Sequence, residues 1–209
     1  MTNEQKQDGR VRTKNKLLIL AAAEQEFLLH GYEGATIKRI AERANIPRAN
    51  VHYYFSSKQD LYATILNDIV GMWNSSFDNV SESDDPKTAL SNYIRSKVMF
   101  SKTDPERSRI FAGEIIRGAP HLKKFLQTEN RKWVQHKVKV IQAWIDAGKL
   151  HPIDPLNLLF FIWGASQHYA DYGTQVLITS GKEKSSEQDF DRIADDLIGL
   201  VLRGLGLKV

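Results

Sequence analysis

Residues 36–55 read TIKRIAERANIPRANVHYYF, two short helices with a tight turn between them. Ile37, Ile40, Ala41 and Ala44 recur at helical spacing, which gives the first helix one narrow apolar stripe. The small alanines at 41 and 44 let a second helix cross closely. Asn45-Ile46-Pro47 ends the first helix, because the residue before a proline is pushed out of the helical region and proline suits the first turn of the next helix. Beyond Pro47 the apolar positions Val51, Tyr54 and Phe55 can face the first helix, leaving Arg48, Ala49, Asn50, His52 and Tyr53 outward. Arg and Asn can hydrogen-bond guanine and adenine edges in two-pronged fashion, while Tyr, His and Thr suit phosphate oxygens. The pattern is that of a helix-turn-helix whose second helix enters a DNA groove. The same geometry would also serve a plain surface hairpin with a solvated polar face.

The detailed motif favours the first reading. T-x-x-x-I-A-x-x-A, a turn, then Y-Y-F-x-x-K-x-x-L falls on Thr36, Ile40, Ala41, Ala44, Tyr53, Tyr54, Phe55, Lys58 and Leu61. It resembles the DNA-binding domain of TetR-family repressors. The expected contacts are base reading by Arg48 and Asn50, and phosphate contacts from Thr36, His52, Tyr53 and Lys58.

Composition sets the bounds. The chain has 209 residues, 42% apolar and 26% charged, ordinary for a globular protein with a substantial core. It has no cysteine, so disulfides and thiolate metal sites are excluded. The longest apolar run, Leu158 to Ala165, is far short of the ~20 residues a membrane span needs. The N-terminus lacks a signal-peptide core, and a cytoplasmic protein is expected. Net charge is only +4, but residues 1–60 hold 10 Lys/Arg against 7 Asp/Glu, so most of the excess lies with the helix-turn-helix.

Residues 1–12 are polar and are expected to be a disordered tail. Arg10, Arg12, Lys14 and Lys16 would form either a solvated arm or a basic arm along DNA. A helix from about Thr13 to His30 takes its apolar face from Leu17, Ile19, Leu20, Ala23, Phe27 and Leu28, with Gly31 as a left-handed C-cap and 32–35 as a loop. Thr36 N-caps the next helix. Ser56-Ser57-Lys58-Gln59-Asp60 starts a long helix that passes Leu61, Ile65, Ile69 and Trp73 towards Phe77. Residues 81–86, SESDDP, read as a loop. Asp85-Pro86, Asp104-Pro105 and Asp154-Pro155 each fit an N-cap aspartate before a first-turn proline. They divide the rest into helices near 86–101, 105–117, 120–147 and 155–179, before a last one near 186–204. Nothing alternates with period two, so the expectation is an all-α chain of about nine helices. Residues 1–56 would be the arm and DNA-binding domain, 57–209 an effector-binding and dimerisation domain, and helix 57–80 the link.

No catalytic constellation assembles. The six histidines show no metal-ligand spacing, and no phosphate loop or nucleophile elbow is present. His168 and Asp171, three apart on one helix, fit a simple hydrogen bond better than a base and its orienting acid. In FFIWGASQHYADYGTQV, residues 160–176, one helical face carries Trp163, Gln167, Ala170, Asp171 and Thr174. Trp163 could be plain core with Gln167 in water. Alternatively, the indole walls a pocket where the Gln167 amide donates and accepts together, which suits a small planar molecule with adjacent C=O and N–H groups.

Trp73, Gly118-Ala119-Pro120, Gly148-Lys149-Leu150 with Pro152-Ile153-Asp154-Pro155, and the 163–171 segment resemble the pyrimidine-utilisation branch of the TetR family. Its effector is uracil or thymine. The resemblance implies effector contacts from Trp73, Trp163 and Gln167. Arg117 and the N-terminal tail depart from the pattern. It further implies a homodimer through the helices near 155–179 and 186–204, bound to a palindromic operator in double-stranded DNA. A small-molecule effector is expected; no cofactor, metal or membrane partner is. The competing readings are a TetR-like regulator with a larger amphipathic effector, and a small-molecule enzyme or binding protein that merely carries a helical hairpin.

Overall fold

The computed structural model describes residues 3–208, with side chains from Val11 onward. Among the described residues there are ten helices of seven residues or more and no strand. They are α1 (Asn3–Gly34), α2 (Ile37–Ala44), α3 (Arg48–Tyr54), α4 (Lys58–Asn74), α5 (Pro86–Thr103) and α6 (Pro105–Ile116). After a three-residue turn, α7 (Lys123–Phe125), and a π turn over Leu126–Asn130 come α8 (Arg131–Asp146), α9 (Pro155–Asp171), α10 (Gly173–Ser180) and α11 (Glu187–Gly204).

The count exceeds the expected nine because the helix expected over 155–179 is two. Tyr172 leaves helical geometry at φ −112°, ψ 27°, and α10 restarts at Gly173, a residue that stabilises a helix interior least after proline. The helix expected over 120–147 begins only at Lys123, because Gly118 (φ +87°) and Ala119 (φ +56°) turn the chain, and it loses α-register in the π turn. The expected disordered tail is helical from Asn3. Glu, Gln, Lys and Arg dominate there, and extending an existing helix needs no new nucleus. Residues 1 and 2 and the Arg10 side chain lie outside the described set. Leu17 is 61% exposed rather than buried, because the stripe Ile19–Ala22–Ala23–Glu26–Phe27 passes it by.

Two of the aspartate caps form as expected. Asp85 accepts from Thr88 N at 2.9 Å, and Asp154 from Leu156 N and Asn157 N at 2.8 and 3.1 Å. The Asp104 carboxylate instead takes the neighbouring Thr103 hydroxyl.

By packing, the chain forms two compact units. One holds the residues up to Ile69 together with Ile110–Leu122; the other holds Val70–Arg109 and the residues from Lys123 onward. In the first, Ile19, Ala23 and Phe27 of α1, Ile40 and Ala41 of α2, Val51 of α3 and Leu61 and Ile65 of α4 are all buried. Buried Glu26 draws α2 onto α1: Arg39 Nε lies 2.7 Å from its Oε1 and Arg43 Nη2 3.4 Å from its Oε2. In the second, α5 packs against α9 and α11. Leu90, Tyr93, Ile94 and Val98 meet Leu158, Leu159 and Ile162 of α9 and Ala194, Ile198 and Leu202 of α11, with Ile141 and Trp144 of α8 in the same core.

Candidate functional site

The α2–α3 pair positions the first candidate site. Thr36, extended at φ −133°, accepts from Arg39 N at 3.2 Å and so N-caps α2. Asn45 ends α2 in the left-handed region at φ 53°, which asparagine tolerates better than most residues. Ile46 N then donates to Ala41 O at 3.0 Å, Pro47 precedes α3, and Asn50 N donates to Pro47 O at 2.8 Å. At seven residues α3 is too short to persist alone. Burial of Val51 and Phe55, about 1.5–3 kcal/mol each, holds it. Arg48, Ala49, Asn50, His52 and Tyr53 are consequently all exposed on its other side.

Exposed cations of α1 reach the same surface. The Arg12 guanidinium stands 5.5 Å over the Tyr53 ring, and Lys16 Nζ 6.0 Å over Phe55. Lys58 is placed differently. Its Nζ donates to Tyr32 O at 2.7 Å and Ala35 O at 3.1 Å and lies 4.3 Å over the Tyr32 ring. Two of its three protons thus hold the last turn of α1, which follows the kink at Gly31 where a loop over 32–35 was expected, and the residue before Thr36, and one remains for a phosphate. Beneath that turn Tyr32 packs on Tyr62 and His121, and the fully buried Glu114 accepts from His121 N at 2.6 Å. Burial, with Glu114 nearby, pushes the Tyr62 hydroxyl up to about 12. The variant position Arg117 lies beside Tyr62, whose ionisation it favours.

The second candidate site lies in the other unit. Trp73 is buried near the end of α4, with Lys97 Nζ of α5 4.3 Å over its ring. Trp163 of α9 donates its indole N–H to Tyr93 Oη at 2.6 Å. Trp73 and Trp163 therefore hold different residues of α5, one helical turn apart. Gln167 is half-buried, next in chain to Ser166, whose carbonyl accepts from buried Ser101 at 2.8 Å. On the same turn of α9, Asp171 Oδ1 accepts from Ser108 Oγ at 2.5 Å, and Arg109 Nη1 donates to Ala170 O at 3.5 Å. Burial raises the Asp171 carboxyl and depresses Lys97 to about 7.

Sequence reasoning missed Lys97 and Ser108. The signal for Lys97 was its register, since Leu90, Tyr93, Lys97 and Ser101 form one stripe and the other three are buried. Trp163 also lines a groove of about 770 Å³ with Leu126, Val134, Val138, Leu156 and Phe160, rimmed by Arg131 and Lys139. No cluster of potential metal ligands occurs among the described residues.

Residues 19–65 match the model of the bacterial regulatory proteins of the tetR family, and residues 66–208 that of the YcdC-like C-terminal region. The chain belongs to the TetR family. It is 34% identical over 197 residues to the HTH-type transcriptional regulator RutR of Escherichia coli K12, covering 94% of this chain and 93% of that one. This is the pyrimidine-utilisation regulator whose branch the sequence resembles. The HTH-type transcriptional repressor NicS of Pseudomonas putida is 27% identical over 133 residues, covering 63% of this chain and 61% of its own.

Among solved structures, SCO4942 of Streptomyces coelicolor superposes with a TM-score of 0.71 at 21% identity, covering 93% of this chain and 99% of its own. AibR, solved with isovaleryl coenzyme A and operator DNA, gives 0.69 at 17%, covering 89% and 97%. Both likenesses concern the fold. The chain is a TetR-family transcriptional regulator, as its relatives are, and not an enzyme. Regulators of this family bind operator DNA and small effectors and act as dimers. Among the described residues no helix is long and apolar enough to cross a membrane.

Proposed function

We propose that the chain is a homodimeric repressor in the cytoplasm, that residues 1–56 grip a palindromic operator, and that residues 57–209 bind a small planar effector which relieves repression. Uracil or thymine is the effector the subfamily likeness favours. The observation that carries the DNA half is the outward array Arg48, Asn50, His52 and Tyr53 on a helix anchored from behind by Val51 and Phe55. Arg48 and Asn50 read base edges; Thr36, His52, Tyr53 and the free proton of Lys58 take phosphates. One such helix covers too little DNA for specific control, so two act across a two-fold axis on half-sites ~34–36 Å apart. Exposed Phe160, Phe161 and Leu200 on α9 and α11 supply apolar area for the dimer contact.

Trp73 and Trp163 would wall the effector, and Gln167 would offer its amide. The 17-residue α4 is the link: Lys58 stands at one end and Trp73 about 22 Å along it. A ligand that favours a displaced Trp73 end also displaces the Lys58 end, so DNA and ligand weaken each other by the same factor. The groove of about 770 Å³ favours a second reading, a larger amphipathic effector, since its volume suits a drug-sized molecule.

Footprinting on selected operator DNA, with and without uracil, thymine and a panel of amphipathic acids, tests these readings. The expected result is a protected palindrome that one of the two bases releases, with release lost in Gln167→Ala and protection kept. Absence of a protected palindrome would end the DNA reading, and release by an amphipathic acid alone would replace the pyrimidine. In the same assay Arg48→Ala should cost roughly 1–3 kcal/mol and relax preference at one operator position. An unchanged Arg48→Ala profile would mean that α3 enters the groove in another orientation.

A further inference from the structure

The groove between α8 and α9 has an apolar floor made by Val134 and Val138 of α8 with Leu156 and Phe160 of α9, and Phe160 stands 52% exposed. Apolar side chains gathered in an open groove of about 770 Å³ mark a contact that the single chain leaves unfilled. The π turn over Leu126–Asn130 runs directly into α8 and brings Leu126, Gln127 and Asn130 to the same groove. Turns of this kind are rare and recur at functional sites.

The charge of the lining is one-sided. Arg131 and Lys139 line the groove, and no aspartate or glutamate does. In the same packing unit Arg95, Lys102, Lys182 and Arg192 are each paired with a carboxylate. The side chains of Arg131 and Lys139 pair with none among the described residues. Eight residues apart on α8, they stand ~12 Å from one another along its axis and so mark opposite ends of the groove. Gln127 and Asn130 add amide donors at the Arg131 end, where the guanidinium can take a carboxylate with two parallel N–H bonds.

We propose that this groove binds an aliphatic carboxylate, its chain on Val134, Val138, Leu156 and Phe160 and its head on the Arg131 guanidinium. This rests on the amphipathic reading of the groove given above and deepens it, independently of the planar-effector reading. A pyrimidine base, polar around its rim, would leave the apolar floor uncovered. Trp163 walls the same groove while its indole N–H donates to Tyr93 Oη at 2.6 Å. A bound chain therefore bears on the side chain that ties α9 to α5.

The test is calorimetric titration of wild type, Arg131→Gln and Lys139→Gln with decanoate and with decanol, each below the concentration at which it aggregates. Wild type should bind decanoate. Decanol on wild type, and decanoate on Arg131→Gln, should each be weaker by about tenfold, the loss of one charged contact. Lys139→Gln should stay within threefold, and both variants should melt as wild type does, because both side chains are exposed. Decanol within threefold of decanoate, Arg131→Gln within threefold of wild type, or equal losses in the two variants would overturn the inference and leave the amphipathic reading standing. Failure of both compounds to bind wild type would bring down both and give the groove to a second copy of the chain.

Discussion

Lys58→Met is the most direct test of how the DNA-binding unit is held. Methionine keeps most of the apolar stem and removes the ammonium, which donates to Tyr32 O at 2.7 Å and Ala35 O at 3.1 Å and overlies Tyr32. Hydrogen bonds from a charged donor contribute about 1.5–3 kcal/mol each, and because Lys58 is only half-buried its ammonium is in part solvated in either state, which discounts that sum. The cation–π contact adds about 0.5–1 kcal/mol. The expected loss is about 2–3 kcal/mol. For a chain of this size that is a fall in Tm of roughly 4–12 °C.

Because the held segment leads into Thr36, operator affinity should fall alike for all sequences. The dependence of affinity on salt should also become shallower by about 0.9, because the third Lys58 proton takes a phosphate. Thermal melting followed by circular dichroism, with fluorescence anisotropy on a labelled operator from about 50 to 200 mM salt, reads both quantities. A Tm unchanged within about 1 °C would refute the role of Lys58 as a clasp, and an unchanged salt slope would refute its phosphate contact.

Gly31 combines φ 65° with ψ 179°, a region open essentially to glycine alone, so Gly31→Ala should lose about 1–3 kcal/mol in denaturant titration; no loss would mean the α1 kink relaxes freely. Phe161 is 55% exposed on α9, and Phe161→Glu should shift the sedimentation mass from twice the 23.8 kDa chain to that of one chain, an unchanged dimer moving the interface elsewhere. Lys97, ordinarily near 10.5 and depressed to about 7 by burial, binds fewer protons folded than unfolded between those values, so the penalty for its charge is full below about pH 7 and fades as pH rises. Lys97→Met should therefore gain most in Tm near pH 6 and least near pH 10, and a gain independent of pH would show that Lys97 titrates normally.

The α2–α3 pair was legible because its apolar period, its turn and its outward polar residues all pointed the same way. Asp85 and Asp154 were legible for a similar reason, since an aspartate before a proline has few other uses. What escaped was chemistry written in residues that usually face water. Glu26 lies in the stripe Ile19–Ala22–Ala23–Glu26–Phe27, Lys97 in Leu90–Tyr93–Lys97–Ser101, and Lys137 in Trp133–Lys137–Val140–Ile141–Trp144. Each interrupts an otherwise buried face: Glu26 ties two helices, Lys137 ties α8 to the backbone at Asp78 and Val80, and Lys97 lies over the Trp73 ring. An ionisable residue on the apolar stripe of a helix is thus a readable sign. Leu17 fails in the opposite sense, because hydrophobicity alone called it core while its register set it outside. The break at Tyr172 had only Gly173 to announce it.

The boundaries between the two packing units fall in awkward places. One lies between Ile69 and Val70, inside α4, and another between Arg109 and Ile110, inside α6. Only the return after Leu122 falls between helices. A reader head of this kind cannot be lifted off and fused to another sensor by a single crossover. Residues 1–56 alone would lack Leu61, Ile65 and Leu66 of α4, and with them the fully buried Glu114 of α6 and its His121 turn. New pairings of operator and effector in this scaffold would have to arise by point substitution within one inherited frame, or by exchanges that cut two helices in register.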